Sequence, residues 1–272
     1  MLGNITLGQF FPGDSIIHKL DPRMKLILVI IYICAVFAAK SFVSYAVVVA
    51  SLLFIIFASG IDIRIILKSI KPVMFVVAFT AIANLFWTSG ETLLFSFWII
   101  NIYLEGVIFA CLMVLRLVCL IAGTFVFLTY TTSPVALTDA IERLLSPLQK
   151  IGVPTHEFAM MMTIALRFIP TLIEETEKII NAQKARGADF ETGSLIKRTR
   201  ALVPILIPLF VSAFRRADEL ACAMECRLYH GGEGRTRMKV LHVRASDILF
   251  LLCSLAVLAL IIFFNTAFGG AV

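Results

Sequence analysis

The sequence predicts an all-α integral membrane protein with five transmembrane helices and three amphipathic helices on the cytoplasmic side. Three observations carry that expectation. Hydrophobic residues make up 60% of the 272 positions and charged residues only 15%, beyond the roughly 45–50% apolar content of soluble domains. The apolar residues gather into runs that cross, or nearly cross, a bilayer. The remaining charge is concentrated in one stretch, Thr131 to Ala245, which holds 16 of the 24 basic and 12 of the 18 acidic residues, a net +4.

In chain order, Met1 to Leu20 carries Asp14, His18 and Lys19 among scattered apolar residues. It lacks the continuous apolar core and small-residue cleavage site of a signal peptide and is expected to stay attached. The apolar runs are Leu26 to Ala39, Ser41 to Ser59, Pro72 to Trp87, Gly106 to Tyr130 and Ile248 to Phe264. The first is short against the roughly 20 residues a spanning helix needs, so it either extends past Lys25, tilts little, or pairs with the second as a hairpin. Phe95 to Ile102 is apolar but too short to cross.

Basic residues beside these runs set the orientation. His18, Lys19, Arg23 and Lys25 precede the first run, and Arg64, Lys68 and Lys71 separate the second from the third. Thr88 to Glu105 contains no Lys or Arg, and Lys40 is the one contrary residue. The N-terminus and the segment from Thr131 to Ala245 are therefore expected in the cytoplasm and the C-terminus outside. The division is 1–130, a cytoplasmic lead with the first four membrane helices; 131–245, the cytoplasmic segment of amphipathic helices; and 246–272, the last membrane helix with an external C-terminus.

Within residues 131–245 a first helix is expected over Pro134 to Ile151. From Thr155 to Arg186, Phe158, Met161, Met162, Ala165, Phe168, Ile169, Leu172 and Ile173 recur at three- and four-residue steps, the pattern of an amphipathic helix. Pro170 is expected to kink it. A third helix is expected from Pro204 to His230, with Ile205, Leu206, Leu209, Phe210, Ala213, Phe214, Ala217 and Leu220 opposed by Arg215, Arg216, Asp218 and Glu219. The Met161–Met162 pair and the small residues Ala213 and Ala217 allow repacking against a membrane partner.

Two helix ends stand out: Ala185-Arg186-Gly187 and Cys226-Arg227-Leu228 each place an arginine after a small residue. One such arginine is accounted for as a cation at the carbonyl end of a helix dipole. The repetition points instead to a docking pair, because the guanidinium presents five donors in a planar fork suited to a partner's carbonyls or carboxylates. Arg116, inside the fourth run, serves either a solute path or a structural hydrogen bond.

Several classes are disfavoured. Cys34, Cys111, Cys119, Cys222, Cys226 and Cys253 form no disulfide framework. Cys222 and Cys226 lie four apart without further ligands, so no zinc site is expected. The net charge of +6 is distributed as topology requires rather than as a nucleic-acid surface. His156-Glu157 has Met160 where a zinc-protease helix needs its second His, and no nucleophile elbow or phosphate-binding loop occurs.

The residues Gly8-Gln9-Phe10 through Ser15-Ile16-Ile17-His18-Lys19-Leu20-Asp21-Pro22-Arg23-Met24-Lys25, with Arg167-Phe168-Ile169-Pro170, Ala182 to Gly187 and Ala223 to Tyr229, resemble the transmembrane T component of energy-coupling factor transporters, nearly over the full length. The N-terminal stretch looks more like systems in which one energising module serves several substrate-binding subunits than like dedicated cobalt or nickel systems. The resemblance implies a prokaryotic cell-membrane assembly with two ATP-binding cassette subunits and one small membrane S component that captures a vitamin or metal, several S components being interchangeable. It implies that Ala185, Arg186, Gly187, Cys226, Arg227 and Leu228 dock into grooves on the ATPases. It implies that Met161, Met162, Ala213 and Ala217 face the S component, that ATP and Mg bind only to the partner ATPases, and that no residue here is catalytic. Leu228 lacks glycine's freedom, so the backbone at the second motif is expected to differ from that at the first. The competing readings are a conventional ABC permease domain with its own substrate path and, from a different class, an intramembrane protease or lipid-modifying transferase.

Overall fold

In the computed structural model the described residues are 11, 13–87, 92–97, 100–188, 195–232 and 241–268. The Gly8–Phe10 stretch, residues 88–91, Glu233–Arg235 and the final four residues lie outside them. Two compact units are formed, one within Gly8–Ala140 and Val240–Val272 and the other within Ile141–Lys239.

In the first unit, α1 (Pro22–Ala38) begins at a complete capping arrangement: the Asp21 carboxylate accepts from the Arg23 backbone N–H, with Pro22 in the first turn. The helix extends past Lys25, and Ala39 to Ser41 turn directly into α2 (Phe42–Ser59). The short first run thus does two of the things expected of it. It starts earlier and it forms a hairpin with the second. That turn is held by Asn265, whose Oδ1 accepts from Lys40 N at 3.2 Å, Ser41 N at 3.3 Å and Ser44 Oγ at 2.7 Å, while its amide donates to Ala38 O. Arg116 Nη2 donates to Ala39 O at 2.8 Å and the guanidinium lies 5.6 Å from the centre of the Tyr45 ring. These contacts give Arg116 a structural role, satisfying a carbonyl that the end of α1 leaves without an intrahelical donor.

Next come α3 (Ile63–Ile70), a 3-10 turn at Lys71–Val73 and α4 (Met74–Trp87). The short apolar piece Phe95 to Ile102 is part of an antiparallel hairpin, β1 (Leu93–Phe97) with β2 (Ile100–Tyr103), in which Phe95 pairs with Ile102. Thr92 Oγ1 donates to Glu105 at 2.7 Å, fastening the hairpin to the start of α5 (Leu104–Thr124). After Thr124 the helix widens into a π-helical turn, Phe125–Tyr130. α1 crosses α5 closely at Gly123, where a Cβ would sit 2.2 Å from the Tyr32 ring, and the Tyr32 hydroxyl donates to Cys119 O at 2.8 Å. Only glycine permits that approach. The core of this unit contains Leu28, Val36, Val48, Val126, Tyr130 and Ile261.

The last helix, α9 (Ala245–Phe268), is anchored at its start by a fully buried Asp247. Its carboxylate accepts from Asp21 N at 3.0 Å and Arg244 N at 2.6 Å. Arg23 forks onto Asp21 and also reaches Leu241 O at 3.2 Å, while buried Lys25 donates to Thr131 O at 2.7 Å. The Leu20-Asp21-Pro22-Arg23-Met24-Lys25 stretch is thus a knot that ties the starts of α1 and α9 to the end of α5.

The second unit follows from α6 (Pro134–Leu145), which is shorter than the expected Pro134 to Ile151 because Pro147 turns Ser146–Ile151 into a 3-10 helix. α7 (Thr155–Ala185) runs through Pro170 without interruption. α8 (Leu195–Cys226) starts nine residues before the expected Pro204, carries Pro204 and Pro208 inside, and ends before His230. Each proline removes a single donor, and a helix of 32 residues absorbs the loss.

Among the described residues, five helical segments are long and apolar enough to cross a membrane: Phe42–Ser59, Ile63–Trp87, Leu104–Tyr130, Thr155–Ala185 and Ala245–Ala267. All five enter this set by length and composition alone, and α7 is the one that also carries a dense run of charge. Glu174, Glu175, Glu177 and Lys178 occupy its second half, and charges of that density are excluded from hydrocarbon. α1 has 17 residues, about 26 Å of helix, which approaches the roughly 30 Å core with little tilt.

Candidate functional site

α7 and α8, of 31 and 32 residues, extend for about 46 Å and 48 Å. Both end in the same backbone arrangement. At the end of α7, Gly187 N donates to Lys184 O at 3.0 Å and Ala188 N to Gln183 O at 3.0 Å, with Gly187 at φ 86°. At the end of α8, Leu228 N donates to Glu225 O at 2.9 Å and Tyr229 N to Met224 O at 3.1 Å, with Leu228 at φ 55°. Each is a Schellman closure, in which a left-handed residue satisfies the last carbonyls. The expectation that the two motifs differ in backbone is therefore corrected. Leucine adopts the position that glycine holds in the first motif.

A left-handed leucine costs about 1–2 kcal/mol, and its side chain is 77% exposed, so burial within this chain does not offset the cost. Such strain marks positions where something other than stability fixes the residue. Leu228→Gly is expected to raise the stability of the α8 end by about 1 kcal/mol, read by hydrogen exchange of the Arg227–Tyr229 amides. Faster exchange in the variant would contradict the strain.

Ala185, Arg186, Gly187, Cys226 and Arg227 are all exposed. The two arginines, each one residue before the left-handed position, project from carbonyl-rich helix ends whose dipoles favour a cation. An Arg in this setting offers its whole donor fork to a partner.

A polar clasp joins the two helices. Glu175 on α7 accepts from the Ser212 hydroxyl and from Arg216 Nη2, the latter at 3.1 Å, both on α8. Glu175 precedes Arg186 by eleven residues and Arg216 precedes Arg227 by eleven, about 16 Å of helix on each side. The clasp therefore joins the helices at equal distances from the two arginines. The Ser212 hydrogen bond, with the Arg216 guanidinium, holds the Glu175 carboxyl below the usual carboxylate range. A depressed folded-state pKa adds stability above the unfolded value of about 4.3 and loses it as pH falls through the lower folded value. The α7–α8 separation, measured by spin labels, is expected to be constant from neutral pH down to about 5 and to widen only in stronger acid; Glu175→Gln should remove that acid response. A separation that already changes between about pH 7 and 5 would contradict the depressed carboxyl.

Near the other end of α7, His156 Nδ1 pairs with Glu142 at 2.9 Å. A Cβ at Gly232 would meet the His156 ring at 2.6 Å, so the chain leaving α8 packs back on the start of α7. Among the described residues, no group of three or more His, Cys, Asp or Glu side chains stands close enough to hold a metal ion.

The apolar faces are only partly covered. Met161 and Met162 are 58% and 41% exposed; Ala217 is exposed and Ala213 half-buried. The larger open surface belongs to residues not singled out from sequence as partner-facing: Phe158 on α7 and Ile207, Phe210, Val211 and Phe214 on α8, the last four lining a shallow groove. Their helical spacing showed which face is apolar. It could not show which part of that face the neighbouring helix covers.

Comparison with known proteins places these features in a family. A family model described as cobalt transport protein, CbiQ, matches residues 13–239. The chain is 54% identical over 261 residues to the energy-coupling factor transporter transmembrane protein EcfT of Clostridium kluyveri, covering 96% of each. It is 51% identical to the protein of that name in Ruminiclostridium cellulolyticum, covering 92% of each. It is 42% identical to that of Bacillus subtilis, covering 98% of this chain and 100% of the relative.

Proposed function

Since the chain belongs to the CbiQ/EcfT family of transport proteins, we propose that it is the membrane-embedded coupling subunit of an energy-coupling factor importer in a prokaryotic cell membrane. Two cytoplasmic ATP-binding cassette subunits bind ATP and Mg, and a small membrane S component captures the substrate. This chain connects them. Its N-terminus and residues 131–245 lie in the cytoplasm and its C-terminus outside, as the distribution of Lys and Arg supports.

The observation that carries this reading is the matched pair of helix ends, with exposed Arg186 and Arg227 set one residue before left-handed Gly187 and Leu228. The residues Ala185, Arg186, Gly187, Cys226, Arg227 and Leu228 dock one end on each ATPase. Closure of the ATPases on ATP then moves the two ends relative to one another, and the Glu175 clasp converts that motion into a change in the opening of α7 against α8. The S component packs on the apolar faces that include Met161, Met162, Ala213 and Ala217, and is reoriented as those faces shift. No residue of this chain takes part in chemistry, and the choice of vitamin or metal resides in the S component.

Reconstitution tests the reading directly. Proteoliposomes containing both ATPases, an S component and this chain are expected to take up substrate on ATP hydrolysis, and omission of this chain should abolish uptake while leaving substrate bound to the S component. Saturable substrate binding by this chain alone would favour a permease, and turnover by it alone an enzyme.

A further inference from the structure

The link between α2 and α4, whose sequence shows only three topological charges, contains the short helix α3. It is a built surface with three distinct sides. Ile66 and Ile70 are buried against their own unit, at 3% and 6% exposure, and Ser69 is hydrogen-bonded to the Tyr130 hydroxyl at the end of α5. Ile63 and Leu67, one turn apart, are 50% and 60% exposed, and Met74 continues their row at 56%. Arg64, Lys68 and Lys71 are all exposed and occupy the adjoining side, again at three- and four-residue spacing. Asp62, at the N-cap, is the one carboxylate within the helix and its cap.

Position gives these sides a meaning. Arg64, Lys68 and Lys71 all fall in the first nine residues of Ile63–Trp87, the segment long and apolar enough to cross, so α3 is the end of that segment, where the bilayer meets water. A side fixed to the protein, a side of bare aliphatic chains and a side of three cations reproduce the layout of an interfacial helix. The aliphatic side enters the acyl region, and the long Arg and Lys stems let their charged heads rise to phosphate level.

We propose that α3 is a binding surface for anionic phospholipid headgroups of the leaflet on its own side, with Arg64, Lys68 and Lys71 as the phosphate-binding residues and Ile63 and Leu67 as the anchors. The surface belongs to the Gly8–Ala140 unit and does not rely on the docking residues of α7 and α8. Charge complementarity selects the occupant: three cations against one carboxylate favour an anionic headgroup over a zwitterionic one. Each basic residue near the surface supplies roughly a fivefold preference.

The full chain in nanodiscs of phosphatidylcholine with a minor fraction of phosphatidylglycerol provides the test, with retained lipid read by native mass spectrometry. The wild-type chain should enrich phosphatidylglycerol about tenfold or more, and the enrichment should fall as salt is raised, because screening weakens exposed charge pairs. Arg64→Gln with Lys68→Gln and Lys71→Gln should bring the ratio close to that of the bulk lipid, while the charge-preserving set Arg64→Lys, Lys68→Arg and Lys71→Arg should retain it. If the neutralised chain fails to insert, the salt dependence of the wild type and the charge-preserving set still decide. Enrichment that is equal in the neutralised variant, or indifferent to salt, overturns the proposal. So does an absence of enrichment in the wild type accompanied by shielding of Lys68 from amine-reactive labelling only when partner subunits are bound, which would assign the surface to a protein.

Discussion

Reversing both terminal charges, Arg186→Glu with Arg227→Glu, is expected to abolish recruitment of the ATPases while membrane insertion stays intact. Truncating one member of a buried, hydrogen-bonded charge pair costs about 2–5 kcal/mol at an interface, and a reversal adds repulsion. Either single reversal should therefore weaken recruitment by at least about thirtyfold. Because Arg186 and Arg227 are exposed in the isolated chain, the variants should fold normally, and their thermal unfolding should match the wild type. Affinity capture of purified ATPases on the immobilised chain separates the outcomes. Undiminished capture by the double variant would remove the docking role from both residues.

Replacing Asp247 with leucine is expected to cost about 3–5 kcal/mol of stability and to deplete the protein from the membrane. This carboxylate is fully buried and accepts from two backbone donors, Asp21 N and Arg244 N. Each donor left buried without an acceptor costs about 1–3 kcal/mol. Asp247→Asn keeps one acceptor oxygen and should lose roughly half as much. The graded series Asp, Asn, Leu, followed by thermal unfolding in detergent, distinguishes this role from simple charge loss, for which Asn and Leu would behave alike.

Much of this architecture is legible in the residues because hydrocarbon imposes a coarse and strong rule. The runs from Ser41, Gly106 and Ile248 become α2, α5 with its π-helical turn, and α9, and the three-and-four spacing from Phe158 to Ile173 becomes the apolar face of α7. What escaped was decided by contacts between distant residues or by backbone detail. Pro204 is a plausible helix start by local rules, yet α8 begins at Leu195, since proline tolerated inside a long helix has no distinct local signature. α3 was hidden because eight residues hold too few periods to stand out between two apolar runs. The buried Asp247 carries no sequence signal at all, because its acceptors' partner, Asp21, lies 226 residues away.

The two terminal motifs illustrate the same division at finer scale. Their repetition was visible in Arg186 and Arg227, and their shared small residue in Ala185 and Cys226. That Leu228 takes the left-handed conformation of Gly187 was not, because leucine's own preference argues against it. The pairing of Glu175 with Ser212 and Arg216 was hidden for a similar reason: carboxylates on an amphipathic helix read as solvated until the facing helix is in place.

The measurement that bears most directly on the coupling reading is to tag this chain, extract it gently from its native membrane and identify the proteins that accompany it by mass spectrometry. Recovery with two ATP-binding cassette proteins and one or several small membrane proteins is the predicted result. Recovery alone, or with unrelated enzymes, would contradict it.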